Sequence, residues 1–95
     1  MDIIQKLRKQ IETEIRLLVV DDEANVIASL KRILMDEGFP VDYCTNPLDA
    51  IKNLKQHSYA LVISDNMMPQ MTGIELLASV KSMSAHTSRI LLTGQ

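Results

Sequence analysis

The chain has a single cysteine, Cys44, among its 95 residues. An internal disulfide is therefore excluded, which fits a reducing compartment. No apolar run approaches the roughly 20 residues that a bilayer span needs. The start, Met1-Asp2-Ile3-Ile4-Gln5-Lys6, carries charges every few residues and lacks the uninterrupted apolar stretch of a signal peptide. Neither charge dominates, with 10 basic residues against 12 acidic ones and a net charge of −2. That balance gives no electrostatic case for nucleic acid or for a membrane surface. Internal repeats and low-complexity stretches are missing as well. These absences describe a soluble, cytoplasmic protein. What is present, 46% hydrophobic and 23% charged residues, is enough for a folded core and too apolar for disorder. The length suits one domain.

The hydrophobic pattern switches period along the chain. Residues 2–14 have helical spacing, with Ile3, Ile4, Leu7 and Ile11 on one stripe and Asp2 at the positive end. This is either a surface helix packed on its own domain or a dimerising, signal-transmitting helix. Leu17-Leu18-Val19-Val20 is then a short, continuous, apolar run, as expected of a strand buried on both faces. Residues 25–37 return to helical spacing through Val26, Ile27, Leu30, Ile33 and Leu34. Asn25 or Asp22 would cap the start, and Gly38 follows at the usual stop. Val41–Thr45 reads as a second strand nearer an edge. Asn46-Pro47 opens a second helix, buried along Ala50, Ile51 and Leu54. Tyr59–Ser64 is a third strand, residues 74–80 a third helix, and Arg89–Thr93 a fourth strand. This alternation predicts an α/β fold, a parallel sheet with helices on both faces, preceded by an N-terminal helix.

Two of these strands end in acids, Asp21-Asp22 and Asp65. Ligands of open parallel sheets bind beyond the carboxyl ends of the strands. If the two strands are neighbours, three carboxylates converge. Like charges about 4 Å apart repel by roughly 4 kcal/mol at an effective dielectric of about 20, so folding alone does not favour the cluster. Either one acid holds a proton or a cation sits among them. Oxygen ligands in an exposed crevice suit Mg²⁺, and a carboxylate beside it can become an aspartyl phosphate. A lone acid after a strand is more often a turn former or helix cap. The pair, Asp65 and the loop that follows together weigh against that plainer reading.

Those residues carry a family resemblance. Leu17–Glu23 is similar to the first strand and acidic pair of two-component response-regulator receiver domains. Val62-Ile63-Ser64-Asp65, with Asn66-Met67-Met68-Pro69 and later Gly73, resembles the family's phosphoacceptor motif. Leu91-Leu92-Thr93-Gly94 looks like the strand end that carries the switch hydroxyl. The resemblance spans about residues 16–95. It implies a flavodoxin-like, doubly wound parallel sheet, here incomplete with four of the family's five strands. It divides the chain into an N-terminal amphipathic helix, 1–14, and a partial receiver domain, 15–95. It implies that Asp65 accepts a phosphoryl group from a histidine kinase or phosphotransfer protein. Asp22 would ligate Mg²⁺ directly, Asp21 through water or outer contacts, Asp65 itself, and Met67 through its backbone carbonyl. Thr93 would bond the phosphoryl oxygen and shift. Such a protein is a switch that assists its own phosphorylation and is not a turnover enzyme.

Departures accompany the match. The family's fifth-strand lysine has no counterpart, because no lysine follows Lys81. Thr72 stands where an acid is frequent. The chain therefore reads as a truncated domain or as part of a longer protein. The exposed fourth strand would be covered by the N-terminal helix, or by a homodimer formed through that strand edge, through exchanged elements or through the helix, or else the fragment would be only marginally folded. The alternative function is a phosphorylation-impaired pseudo-receiver acting as a dimerisation or interaction module. A phosphatase of the haloacid-dehalogenase type is disfavoured, because its second acid has no match after Asp22. His57 and His86 read as solvated, Cys44 as a small core residue and Met68 as packed inward beside Pro69. Asn66 and Gln70 are placed near the phosphoryl group or a kinase without a decision between them.

Overall fold

The computed structural model describes residues 2–7 and 15–92. Within them a four-stranded parallel sheet forms from β1 (Leu17–Val20), β2 (Val41–Cys44), β3 (Leu61–Asp65) and β4 (Ser88–Leu92). The strand order is β2-β1-β3-β4. Three helices connect them: α1 (Ala24–Met35), α2 (Pro47–Gln56) and α3 (Gly73–Met83). Each crossover joins parallel strands, so the α/β expectation holds.

β1 is the middle of the core. Its four residues are all buried, as the unbroken apolar run requires of a strand paired on both sides. Leu18 and Val20 face the same side as Cys44, Val62, Leu76, Leu77 and Val80, where α2 and α3 pack together. Full burial of each such aliphatic side chain contributes about 1.5–3 kcal/mol. Met68 joins this cluster, as expected of the residue before Pro69. So does Cys44, whose Sγ accepts a hydrogen bond from Asn53 Nδ2 at 3.0 Å. β2 is an edge strand, in line with its weaker pattern.

On the other face Lys31 of α1 lies over the Tyr43 ring, 5.9 Å from its centroid. Along the apolar stripe Val26, Ile27, Leu30 and Leu34 are half-buried while Ile33 is 65% exposed, and no residue of α1 is fully buried. Helical spacing shows which side is apolar and says nothing of what stands opposite. α2 and α3 cover each other, whereas no comparable helix neighbour of α1 exists among the described residues. The cap differs from the sequence reading. Glu23 occupies the N-cap position without a side-chain bond, so neither Asn25 nor Asp22 serves there. α1 stops at Met35, ahead of the expected residue 37, and Gly38 takes a left-handed φ of 79° in the turn beyond it.

α2 begins as its sequence dictates. Pro47 holds the first turn, and Asn46 Oδ1 accepts from Leu48 N at 2.8 Å. Near the N-terminus residues 3–7 are helical, and Asp2 and Gln5 cap each other reciprocally. Ile3, Ile4 and Leu7 are exposed, so these three do not pack on the domain. Residues 8–14 of the expected helix, with Ile11, lie outside the described residues, as does Thr93. No helix among the described residues is long and apolar enough to cross a membrane.

Candidate functional site

Because β1 and β3 are neighbours in register, with Val20 opposite Ser64, the acids that follow them meet at one end of the sheet. One carboxylate oxygen each from Asp21, Asp22 and Asp65 lies within 4.8 Å of the others. Asp21 is buried, Asp65 half-buried and Asp22 exposed. Backbone bonds hold the buried acid. Asp21 N donates to Cys44 O at 3.0 Å, and Asp21 Oδ1 accepts from Glu23 N at 2.9 Å. Burial raises the pKa of Asp21 above the ordinary carboxylate value, and the charges of Asp65 and Asp22 add to the rise, opposed by the Glu23 bond.

Asp65 closes β3 opposite Leu92. Its carbonyl oxygen accepts from Ser64 Oγ at 2.8 Å. The loop beyond it folds back on itself. Met71 N donates to Pro69 O, Gln70 takes a φ of 69°, and Gly73 N donates to Asn66 O. The return brings Gly73 against Asp65. A Cβ at residue 73 would overlap the Asp65 carbonyl oxygen and come 2.8 Å from Leu91 Cδ1. Only glycine permits that approach.

Thr72, at the position where an acid is frequent in the similar family, is the N-cap of α3. It forms a capping box with Glu75, which receives the Thr72 N–H and whose own N–H goes to Thr72 Oγ1. The Thr-x-x-Glu spacing carries that signal in the sequence. Asn66 Oδ1 accepts from Ile74 N at 3.3 Å. Nothing local announces that bond, because its partner lies eight residues on. Gln70 is exposed, and so is Met67, with 78% of its surface open. His57 and His86 are both exposed, His57 edge-on to Tyr59 with ring centroids 6.2 Å apart. Lys81 lies in α3.

The oxygen set fits a small hard cation. A metal–oxygen distance of about 2.1 Å places octahedral ligands about 3.0 Å apart when adjacent and about 4.2 Å when opposite. The 4.8 Å spread is slightly wider, so modest closure or an intervening water completes such a shell.

A second polar cluster sits at the opposite end of the sheet. Asp42 accepts from Tyr59 Oη and from Arg16 Nη1, the latter at 3.1 Å. Burial works to raise the pKa of Asp42, but the Tyr59 and Arg16 bonds and the Arg16 charge outweigh it and hold the carboxyl below its ordinary value. Tyr59 is pushed up, by burial first and then by Asp42.

Residues 17–95 match the family model described as the response regulator receiver domain. Among curated relatives, the CpxR homolog of Haemophilus influenzae is 41% identical over 69 residues, 73% of this chain and 30% of the relative. The chemotaxis protein CheY of Bacillus subtilis is 38% identical over 80 residues, 83% of this chain and 67% of the relative. Response regulator TrrA of Thermotoga maritima, solved in complex with Mg²⁺-BeF, superimposes with a TM-score of 0.80 at 37% identity, covering 85% of this chain and 70% of that one. The same regulator in complex with histidine kinase ThkA gives 0.78 at 38% identity, covering 84% and 69%. The chain spans about a third of the length of several curated relatives, 30% in one and 36% in another.

Proposed function

The chain belongs to the response regulator receiver domain family, and from that premise we propose that it accepts a phosphoryl group on Asp65 with Mg²⁺ at the acidic cluster. The observation that carries this is the convergence of the three carboxylates within 4.8 Å at the ends of adjacent strands. Receiver domains are signalling modules of two-component systems. A carboxylate oxygen of Asp65 attacks the phosphorus of a phosphohistidine, a P–O bond forms, the P–N bond breaks and the imidazole leaves with the electron pair. Asp22, Asp65 and the carbonyl of Met67 hold the cation, and Asp21 contributes from behind them. Bound there, Mg²⁺ neutralises charge on the phosphoryl oxygens. Asp21 and Asp22 also keep the site ready by placing negative charge where a cation is needed. Thr93 is the switch hydroxyl, bonding the phosphoryl oxygen once it arrives and biasing a two-state surface.

The partner is a histidine kinase or phosphotransfer protein. The kinase complex of the similar regulator TrrA supports that reading. The division into an N-terminal amphipathic helix, 1–14, and a partial receiver, 15–95, belongs to this reading, and a family match that begins at residue 17 supports it. The second reading is an interaction module that phosphorylation does not control. The exposed apolar residues Ile3, Ile4 and Leu7 favour it.

Intact-mass spectrometry separates the two. The chain is incubated with Mg²⁺ and acetyl phosphate beside an Asp65→Asn control. A single phosphoryl adduct, lost in the control, supports acceptance at Asp65. A folded sample with no adduct supports the interaction module.

A further inference from the structure

The first turn of an α-helix leaves four backbone N–H groups without partners inside the helix. In α3 all four are satisfied. Thr72 N donates to Glu75 Oε1 and Glu75 N to Thr72 Oγ1, which is the helix's own box. The other two both go to Asn66, Gly73 N to its backbone oxygen at 2.9 Å and Ile74 N to its side-chain Oδ1 at 3.3 Å. One residue thus holds two of the four donors, and it stands between Asp65 and Met67 in the chain. Gly73 makes this grip close, since its Cα lies where a Cβ would overlap the Asp65 carbonyl.

We infer that Asn66 is a positioning residue for the acidic site, its two oxygens tying the Asp65–Met67 backbone to the first turn of α3. The inference rests on the reading of Asp65 as phosphoacceptor and of the Met67 carbonyl as a metal ligand. Met67 cannot hold itself in place, because its side chain stands in solvent. Its carbonyl direction is set by the peptides on either side. On the N-terminal side that is Asn66. With the side-chain grip gone, Ile74 N turns to water and the 66–72 loop keeps one tether to α3 where it had two.

The test uses the full chain and Asn66→Ala, Asn66→Asp and Asn66→Ser. Mg²⁺ affinity is read by calorimetry, the rate of adduct formation with acetyl phosphate by intact mass, and stability by thermal melting. Residues that orient metal ligands without touching the metal typically change affinity about 10- to 100-fold when removed. Asn66→Ala is expected to weaken Mg²⁺ binding by about tenfold or more and to slow adduct formation at fixed Mg²⁺. Asn66→Asp, which keeps the acceptor for Ile74 N, restores both when read at high ionic strength, where its added charge beside Asp65 is screened. Asn66→Ser, with a shorter acceptor, falls between, and it carries the comparison if Asn66→Ala does not fold. A melting shift in Asn66→Ala with unchanged Mg²⁺ affinity and adduct rate would show a helix cap and nothing more, and it overturns the inference. Wild-type protein that takes no adduct and binds no Mg²⁺ overturns the functional reading and this inference with it. Wild-type protein that takes an adduct dependent on Asp65, alongside an indistinguishable Asn66→Ala, overturns this inference alone.

Discussion

Replacing Asp21 by asparagine is expected to make the protein more stable and less able to bind metal. Asp21 is the most buried of the three acids, only 4% exposed, and its pKa is raised by burial and by the charges of Asp65, Asp22 and Glu23. An acid whose folded pKa lies above its unfolded value costs stability when ionised. The cost is present at neutral pH and is relieved as the pH falls through the raised value. Charges 4.8 Å apart repel by about 3.5 kcal/mol at an effective dielectric of about 20 and by about 0.9 kcal/mol at about 80. Asp22 is exposed and Asp65 half-buried, so the sum for Asp21 falls at about 1–3 kcal/mol. Asparagine keeps the Oδ1 that receives Glu23 N, so the loop geometry survives. In a domain of this size about 1 kcal/mol moves the melting temperature by about 4–8 °C. Melting followed by circular dichroism, in low salt with a chelator, should place Asp21→Asn at least about 4 °C above wild type. Magnesium should then reverse the order of gains. A ligand at ten times its Kd adds about 1.4 kcal/mol, and wild type should collect more of that than the variant. An Asp21→Asn protein that melts at or below wild type without metal refutes the electrostatic reasoning. A wild type whose melting ignores Mg²⁺ refutes the cation site.

Gly73→Ala should cost about 1–3 kcal/mol, because its Cβ displaces the Asp65 carbonyl or the Leu91 side chain, and a wild-type melting curve would contradict that. Leu76→Ala empties a fully buried position in the core between the sheet and α3 and should cost about 2–5 kcal/mol by denaturant unfolding, a value under about 1 kcal/mol arguing against this packing. Tyr59→Phe removes a bond to an ionised, partly exposed carboxylate and should cost toward the lower end of about 1.5–3 kcal/mol at neutral pH. The pKa of Asp42 is depressed on folding, so its contribution is present above the ordinary carboxylate range and fades as the pH falls through the depressed value. The gap between Tyr59→Phe and wild type should therefore narrow in acid, and a gap independent of pH would exclude Asp42 as the partner.

The strands were legible because burial on both faces leaves an unbroken apolar run, and Leu17–Val20 is buried throughout. The convergence of the acids needed one further fact, that β1 and β3 are neighbours, and the hydrophobic pattern does not carry strand order. The sheet itself supplies it, in the order β2-β1-β3-β4. α1 shows the opposite case. Ile33 lies on its apolar stripe and is exposed, because periodicity ranks the faces of a helix without measuring their cover. Local chemistry was readable where donor and acceptor lie within a turn, as at Asn46 and Leu48 or Thr72 and Glu75. The grip of Asn66 on Ile74 spans a loop and becomes visible only when Gly73 has been brought back to Asp65.

The central place of β1 bears on how the molecule opens. Amides buried in a strand paired on both sides exchange with solvent only in the largest unfolding events, while a strand with exposed residues that is paired on one side among the described residues, such as β4, opens in smaller ones. In deuterated buffer the amides of Leu18, Val19 and Val20 should keep their protons longest. Asp21 and Asp22 hang from the end of that slow strand. The acidic pair is thus anchored to the last part of the molecule to come apart, and it keeps its arrangement through excursions that strip β4 from the sheet.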